Sequence, residues 1–328
     1  MTKICVTGGA GFIGSVLCRE LNKLGHEDII IVDRLRNGQK WLNLRGIKFA
    51  QYIHADEFEI ELNDFKNGKK FEIDEIYHLG ACSSTTETNV DFLYRNNFLY
   101  SKSLFEVARM NDIKIVYASS AATYGDGELG YSDSHKMIPS LLPLNPYGYS
   151  KQLFDEWALK QEKIPHFWAG LKFFNVFGPN EYHKEGMTSV VYKAFWQIKK
   201  TGKVKLFKSY KDKYLDGEQL RDFVYVLDVA RAMIQMMTDQ VESGVYNMGT
   251  GEARTFKDLV TATFSALNLK PNIEYIDMPE NLKEQYQYYT KAEMGKFNKA
   301  IKDFSFGGLE ESVKDYVQNY LEQKCSYH

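Results

Sequence analysis

Tyr147 and Lys151 stand four residues apart in the run Tyr147-Gly148-Tyr149-Ser150-Lys151, and Ser119-Ser120 lies upstream. On the first turn of a helix this spacing stacks the phenol and the ammonium on one face. An ammonium beneath a phenol favours the phenolate, so the tyrosine proton becomes easier to exchange near neutral pH. A nearby serine hydroxyl can hold the oxygen of an alcohol or ketone. Together these groups can move a proton while a nicotinamide takes or returns a hydride. A bare Tyr-x-x-x-Lys match more often marks a solvated tyrosine and lysine, so the surrounding sequence has to decide.

The elements that would position these groups read as strands and helices in alternation. Lys3-Ile4-Cys5-Val6-Thr7 is a short apolar strand, followed by Gly8-Gly9-Ala10-Gly11-Phe12-Ile13-Gly14. Phe12, Ile13, Val16, Leu17, Leu21 and Leu24 then recur at helical spacing up to Gly25. Strand, glycine loop and helix is the context in which backbone N–H groups and a helix N-terminus cradle a pyrophosphate. A second strand, Ile29-Ile30-Ile31-Val32, ends at Asp33, 33 − 14 = 19 residues past the last glycine, where a ribose-binding acid is expected. Asp33 alone favours NAD, whereas the adjacent Arg34, Arg36 and Lys40 favour NADP, so NADP is expected with NAD as the alternative.

Glu75 to Leu79 reads as the next strand, with His78 as a packed strand residue. It leads into the small residues Gly80-Ala81-Cys82-Ser83-Ser84. A helix is expected from Phe98 to Arg109, with Asn96-Asn97 as capping or cofactor-contacting residues. Lys114 to Ala118 is a strand that delivers Ser119-Ser120 at its carboxyl end, the edge where open α/β sheets bind ligands. A loop runs from Tyr124 to Pro146, then the helix with Tyr147 and Lys151, then a strand from Phe167 to Phe174. This alternation predicts an α/β, Rossmann-like, doubly wound parallel sheet. Past Pro179 the texture turns polar and aromatic. Helices are expected over 190–200 and 229–237, with a strand from Arg221 to Val226 between them. Val245–Met248, a helix near 255–267, Glu274–Ile276 and a last helix near 309–320 are assigned to a smaller α/β C-terminal substrate lobe. The expected division is 1–174 plus 221–245 for the dinucleotide-binding domain and 175–220 plus 246–328 for the substrate domain. A site between two lobes suits a small-molecule substrate.

Hydrophobic residues make up 44% of the 328 residues and charged ones 26%, with a formal net charge of −2, which gives no signal for nucleic acid or an acidic membrane surface. Cys5, Cys18, Cys82 and Cys325 form no metal-ligand spacing and suit a reducing cytoplasm. Neither a signal-peptide core nor a membrane-spanning apolar run is expected, and no metal site is expected.

With these motifs assembled, the chain resembles the ADP-glyceromanno-heptose 6-epimerases, extended short-chain dehydrogenase/reductases acting on a nucleotide sugar. The resemblance rests on 81–87, 119–125, 145–151, Phe174-Asn175-Val176-Phe177-Gly178-Pro179, His183-Lys184, 219–226, 276–279 and Gln285-Tyr286-Gln287. It implies inversion of carbon 6 in ADP-D-glycero-β-D-manno-heptose to the L-glycero form for lipopolysaccharide core, in the cytoplasm, with bound NADP. It further implies a homo-oligomer, with a pentamer as the expected count. Carried over by motif, Tyr147 and Lys184 become the two acid/bases, Ser120 the hydroxyl donor and Lys151 their support. The implied cofactor-binding set is Gly8, Gly11, Phe12, Ile13, Gly14, Asp33, Arg34, Lys40, Leu79, Gly80, Ala81, Cys82, Ser83, Asn96, Lys151, Val176 and Lys184. The implied substrate-binding set is Ser83, Asn175, Gly186, Lys193, Phe207, Ser209, Arg221 and Tyr286, with Arg221 as a diphosphate clamp. The chain departs from the family pattern at Ala55, where a basic residue is expected, at Glu185-Gly186-Met187, where Gly-Ser-Met is expected, and at Lys193, where a histidine is expected.

The chemistry agrees with that resemblance. Carbon 6 carries an unactivated C–H, so inversion calls for hydride removal to give a ketone and return of the hydride to its other face. Two bases on different sides suit this better than one. A 4,6-dehydratase would need an acidic pair where this chain has Ala121-Ala122-Thr123, and a 4-epimerase would need no Lys184. A cofactor-sensing regulator on the same fold would not need Ser120, Tyr147 and Lys151 together.

Overall fold

In the computed structural model, residues 2–239, 241–283, 286–323 and 327–328 are described. The strands in chain order are β1 (Ile4–Thr7), β2 (Ile29–Asp33), β3 (Gln51–His54), β4 (Glu75–His78), β5 (Lys114–Ser120) and β6 (Phe167–Phe173). They continue as β7 (Asn175–Phe177), β8 (Val204–Phe207), β9 (Leu220–Tyr225), β10 (Gly244–Met248), β11 (Ala253–Thr255) and β12 (Ile273–Ile276). Seven of them form one sheet in the order β10-β6-β5-β4-β1-β2-β3, every neighbouring pair parallel.

The apolar runs are continuous because both faces of this sheet are covered. Ile4, Val6, Ile29 and Ile31 pack with Val16, Leu17, Leu21, Met233 and Met236 from the helices Phe12–Lys23 and Val226–Thr238. Cys5, Ile30 and Val32 face the other way, onto Phe58, Leu62, Leu104, Phe105 and Phe154 from the helices Ala55–Lys66, Tyr100–Met110 and Pro146–Leu159. The result is a doubly wound α/β fold. The chain winds outward from β1 to β3 and then crosses back to β4 on the other side of β1. Loops leaving β1 and β4 therefore diverge and open a crevice at their carboxyl ends.

The remainder is built on a three-stranded sheet, β11-β9-β7, and a two-stranded one, β12-β8. Ala194 and Ile198 from the helix Val190–Thr201 and Val260 and Phe264 from the helix Phe256–Ala266 pack over Val204 and Leu206.

Two expectations are corrected. Strand β10, assigned to the smaller lobe, is an edge strand of the large sheet, paired with β6 over Gly244–Met248, and its five residues are all buried. Asn96 and Asn97 do not cap a helix. The helix starts earlier, at Val90 with Asn89 as its cap, and both asparagines lie in a π-helical stretch, Tyr94–Leu99, that runs on into Tyr100–Met110. Among the described residues no helix is long and apolar enough to cross a membrane. Cys325 and Gln285, both used in the sequence reading, lie outside the described residues.

Candidate active site

The Pro146–Leu159 helix begins where its sequence says it should. Asn145 caps it by accepting from the Gly148 N–H at 2.8 Å, and Pro146 fills the first position, where no N–H is needed. A Cβ on Gly148 would lie 2.7 Å from the Ala122 carbonyl oxygen, so only glycine lets this turn settle against the segment after Ser120. That close approach brings Tyr147 to the end of β5. Tyr147 and Ser120 are both buried, and Ser120 lies near enough to the Tyr147 phenol to act on its proton.

The electrostatics differ from the expectation of a lysine beneath the phenol. Burial pushes the Tyr147 phenol above its ordinary pKa, with Ser120 working against it. The Lys151 ammonium donates to the Ala118 carbonyl at 2.8 Å, and burial brings its pKa down to about 8. The pair shares one helix face, as the four-residue spacing requires, but Lys151 anchors to the neighbouring strand.

The glycine loop fits a diphosphate. Gly8 has φ +72°, and a Cβ there would meet Gly80 N and Leu79 C at 2.7 Å, so the loops after β1 and β4 pass backbone against backbone. A Cβ on Gly14 would come within 2.2 Å of the Gly8 carbonyl oxygen, and one on Gly11 within 3.0 Å of it. The helix Phe12–Lys23 has no side-chain cap and no acid in its first turn, which leaves its positive end and its Phe12, Ile13 and Gly14 amides to an anion. Cys82, next to this loop, is held by Asn97, which accepts from its N–H and donates to its carbonyl, both at 2.9 Å.

At the far end of the cradle Asp33 is buried. Its carboxylate accepts from the Ala10 N–H at 2.9 Å, from the Arg34 N–H at 2.6 Å and from the Lys40 ammonium. The Arg34 guanidinium pairs with Asp56 at 2.6 Å and reaches Asn96 Oδ1 at 3.3 Å. Asp56 follows the position where the family pattern has a base and this chain has Ala55. Arg36 stands exposed at φ +53°. Of the cations expected to favour NADP, Lys40 is engaged with Asp33 and Arg34 with Asp56.

Lys184 lies on the turn Tyr182–Met187, with its ammonium over the Phe12 ring, 5.1 Å from the centroid. Phe12 opens the helix of the glycine loop, so Lys184 sits at the cofactor end. Burial lowers its pKa below that of an ordinary amine; Glu181 opposes the shift and Lys193 adds to it. The turn is firmly anchored. Asn43 Nδ2 contacts the Ala10 carbonyl at 2.9 Å, the Asn180 carbonyl at 3.2 Å and the His183 ring at 3.3 Å. Glu181 accepts from Ser189 Oγ at 2.6 Å and from the Tyr316 hydroxyl at 3.0 Å. Lys193 donates to the Gly186 carbonyl at 2.6 Å, which ties the next helix to the same turn. Glu185 adopts φ +49° and ψ −119°, a conformation suited to the glycine expected there.

Arg221, only 7% exposed, enters no ion pair among the described residues. Nη1 donates to the Leu220 carbonyl at 2.9 Å and Nη2 to the Gln287 carbonyl, while the guanidinium lies 5.3 Å from the Tyr286 ring centroid and 5.6 Å from that of Phe256. Phe207 meets Tyr286 edge-on at 6.4 Å. Ser209 is spent locally, its N–H on Asp216 at 2.7 Å and its hydroxyl on the Lys211 carbonyl at 3.0 Å. Val176 is partly buried, whereas Ser83, Asn175 and Gly186 are exposed.

The sequence reading missed Asn43, Asp155 and Lys172. Signals existed. Lys172 is the one charge in the strand Phe167–Phe173, and Asp155 follows Lys151 by four residues on the same helix face.

A parallel nucleotide-binding sheet with Ser, Tyr and Lys at its carboxyl edge defines a nicotinamide-dependent enzyme of the short-chain dehydrogenase/reductase type. Residues 4–249 match the NAD dependent epimerase/dehydratase family. The chain is 50% identical over 332 residues to an ADP-L-glycero-D-manno-heptose-6-epimerase of Fusobacterium nucleatum, covering 99% of each chain. A second epimerase so named, from Nitratidesulfovibrio vulgaris strain Hildenborough, is 48% identical over 96% of this chain and 97% of its own. The crystal structure of Helicobacter pylori ADP-L-glycero-D-manno-heptose-6-epimerase superposes with a TM-score of 0.81 at 31% identity, over 97% of this chain and 96% of that one. The chain belongs to the NAD dependent epimerase/dehydratase family and, within it, to the ADP-L-glycero-D-manno-heptose-6-epimerases.

Proposed function

We propose that the protein inverts carbon 6 of the heptose in ADP-D-glycero-β-D-manno-heptose, giving the L-glycero epimer for lipopolysaccharide core synthesis in the cytoplasm. The observation that carries the two-base form of this reading is Lys184. A half-buried amine with a lowered pKa stands over Phe12, at the glycine-loop end of the site, on a different element from Tyr147. A 4-epimerase has no use for it.

NADP is the proposed cofactor. The uncapped helix end and Gly8, Gly11, Phe12, Ile13 and Gly14 would hold its diphosphate, and Asp33, Arg34 and Lys40 its adenosine end. Leu79 to Ser83, Asn96, Val176, Lys151 and Lys184 would line the rest. The Lys40 ammonium offsets the charge of Asp33, which lessens the repulsion of a ribose 2′-phosphate and supports NADP over NAD. The bound nicotinamide would supply hydride removal and return at carbon 6. Tyr147 Oη takes the hydroxyl proton of one epimer and Lys184 Nζ that of the other, while Ser120 holds the oxygen. Lys184 is suited to this because burial favours its neutral form. Arg221, a desolvated guanidinium with no carboxylate partner among the described residues, would receive the diphosphate of the nucleotide sugar, with Tyr286, Phe207, Asn175, Ser83, Ser209, Gly186 and Lys193 around it.

The substrate would lie between a cofactor lobe (1–174 with 221–245, its sheet running on through Met248) and the rest of the chain. The active form would be a homo-oligomer, a pentamer in this reading. A panel of nucleotide sugars followed by NMR tests the proposal. Inversion of ADP-heptose at one carbon, with no net change in nicotinamide absorbance, is expected; turnover of only a 4-epimerase substrate would refute it.

A further inference from the structure

We propose that Asp155, held by Lys172, is a positioning residue that fixes where the end of β5 meets the catalytic helix and supplies the buried negative charge that Lys151 faces. This rests on the reading of Tyr147, Ser120 and Lys151 as the reacting groups.

Asp155 follows Tyr147 by eight residues and Lys151 by four, so the three share a helix face. Its carboxylate accepts from the Ser119 hydroxyl at 2.6 Å and the Tyr117 hydroxyl at 3.0 Å, both on β5. The Lys172 ammonium on β6 reaches it at 2.7 Å, and both side chains are 0% exposed. Lys172 also donates to Thr123 Oγ1 at 2.7 Å and lies 5.3 Å from the Tyr124 ring centroid; the Thr123 hydroxyl in turn donates to the Ser120 carbonyl at 2.8 Å. The residue before Ser120 and the turn after it are therefore both tied to one carboxylate–ammonium pair. Ser120 cannot move relative to Tyr147 without breaking one of these bonds.

Stability alone is a weak reason for such a pair, because two buried charges give little net stabilisation over well-packed apolar side chains of the same volume. Placement beside the reacting groups gives it a reason. Lys151 faces Asp155 on its own helix and Cys82 from the segment after β4. His78 on β4, between Thr7 Oγ1 at 2.7 Å and Ser101 Oγ at 2.8 Å, is kept neutral by burial and by Lys151, its pKa brought down to about 3. Lys172 on β6 is neutralised by Asp155 itself. Asp155 is thus the carboxylate that keeps Lys151 protonated against burial. Without it the amine gives up its proton at lower pH.

The test uses the purified full-length enzyme with its bound cofactor and compares Asp155→Asn with Asp155→Asn/Lys172→Met. Asp155→Asn is expected to lower kcat on the order of 10²-fold, as misplacement of reacting groups does, with KM little changed. The alkaline limb of kcat/KM should move to lower pH. The double variant, which removes both buried charges, should lose kcat similarly while its limb returns toward the native position. Native kcat, or an alkaline limb that stays in place while only the melting temperature falls, overturns the inference. If Asp155→Asn does not fold, native kcat in the double variant does so. Tyr147→Phe, measured alongside, separates the two levels: if it stays active, the reading of the site fails, whereas an inactive Tyr147→Phe beside a native Asp155→Asn sinks this inference alone.

Discussion

Lys184→Met separates a catalytic amine from a surface cation, because the two roles differ in which quantity they move. Methionine keeps most of the aliphatic stem, so packing around the turn survives. What is lost in the free protein is an ammonium over the Phe12 ring at 5.1 Å, a contact of about 0.5–1 kcal/mol at a partly exposed site. The variant should therefore melt within a few degrees of the native protein and purify with its cofactor. Loss of a positioned acid/base costs on the order of 10²–10⁴ in rate, or about 3–5 kcal/mol of transition-state stabilisation. The assay is kcat and KM on ADP-heptose, with cofactor content and a thermal melt on the same preparation. Tyr147→Phe should cost a comparable factor, and the double variant little more than either single one, since both groups serve one cycle. A near-native kcat with a raised KM would refute the reasoning. Lys184 would then be a phosphate contact and Tyr147 the only base.

Other perturbations have equally definite signs. In Gly14→Ala the new methyl would fall 2.2 Å from the Gly8 carbonyl oxygen, so the loop must shift. The protein is expected to purify without nicotinamide, checked by the absorbance released on denaturation, and native cofactor content would count against the cradle. Glu185→Gly removes a side chain from φ +49°, a strain on the order of 1 kcal/mol. A melting temperature raised by a few degrees is expected, and an unchanged or lower one contradicts the strain argument. Arg221→Met should raise KM for the nucleotide sugar by about 10²-fold, the worth of one or two charge-assisted hydrogen bonds. The cofactor-free fold should be no less stable, since a buried unpaired charge is gone; an unchanged KM removes Arg221 from the substrate site. Denaturing the purified protein should release NADP, and finding only NAD would overturn the assignment drawn from Asp33 and Lys40.

Legibility followed burial and locality. Strands β1, β2, β4, β5 and β6 could be read because burial on both faces writes them as mostly apolar runs, broken only by residues such as Glu75, Lys114 and Lys172. Strands β3 (Gln-Tyr-Ile-His) and β8 (Val-Lys-Leu-Phe) could not, since each is four residues at the edge of its sheet. Gly244–Met248 was recognisable as a strand, but the sheet it joins is a long-range matter that no local pattern encodes. In the site, glycine spacing and the Tyr-to-Lys interval are local geometry and were legible. The target of Lys151, a backbone carbonyl on β5 rather than the phenol, is tertiary. Asp155 and Lys172 lie on successive elements that only the folded chain brings side by side, and each looks like a fault in an apolar pattern until the pair is seen.

The central claim is that carbon 6 is inverted by removal and internal return of its own hydrogen. It is tested most directly by running the reaction in D2O on ADP-D-glycero-β-D-manno-heptose and reading carbon 6 of the product by NMR. The account predicts accumulation of the L-glycero epimer with hydrogen, not deuterium, at carbon 6. Deuterium at that carbon, which would mean exchange of its proton with solvent, or the absence of any inversion there, would contradict it.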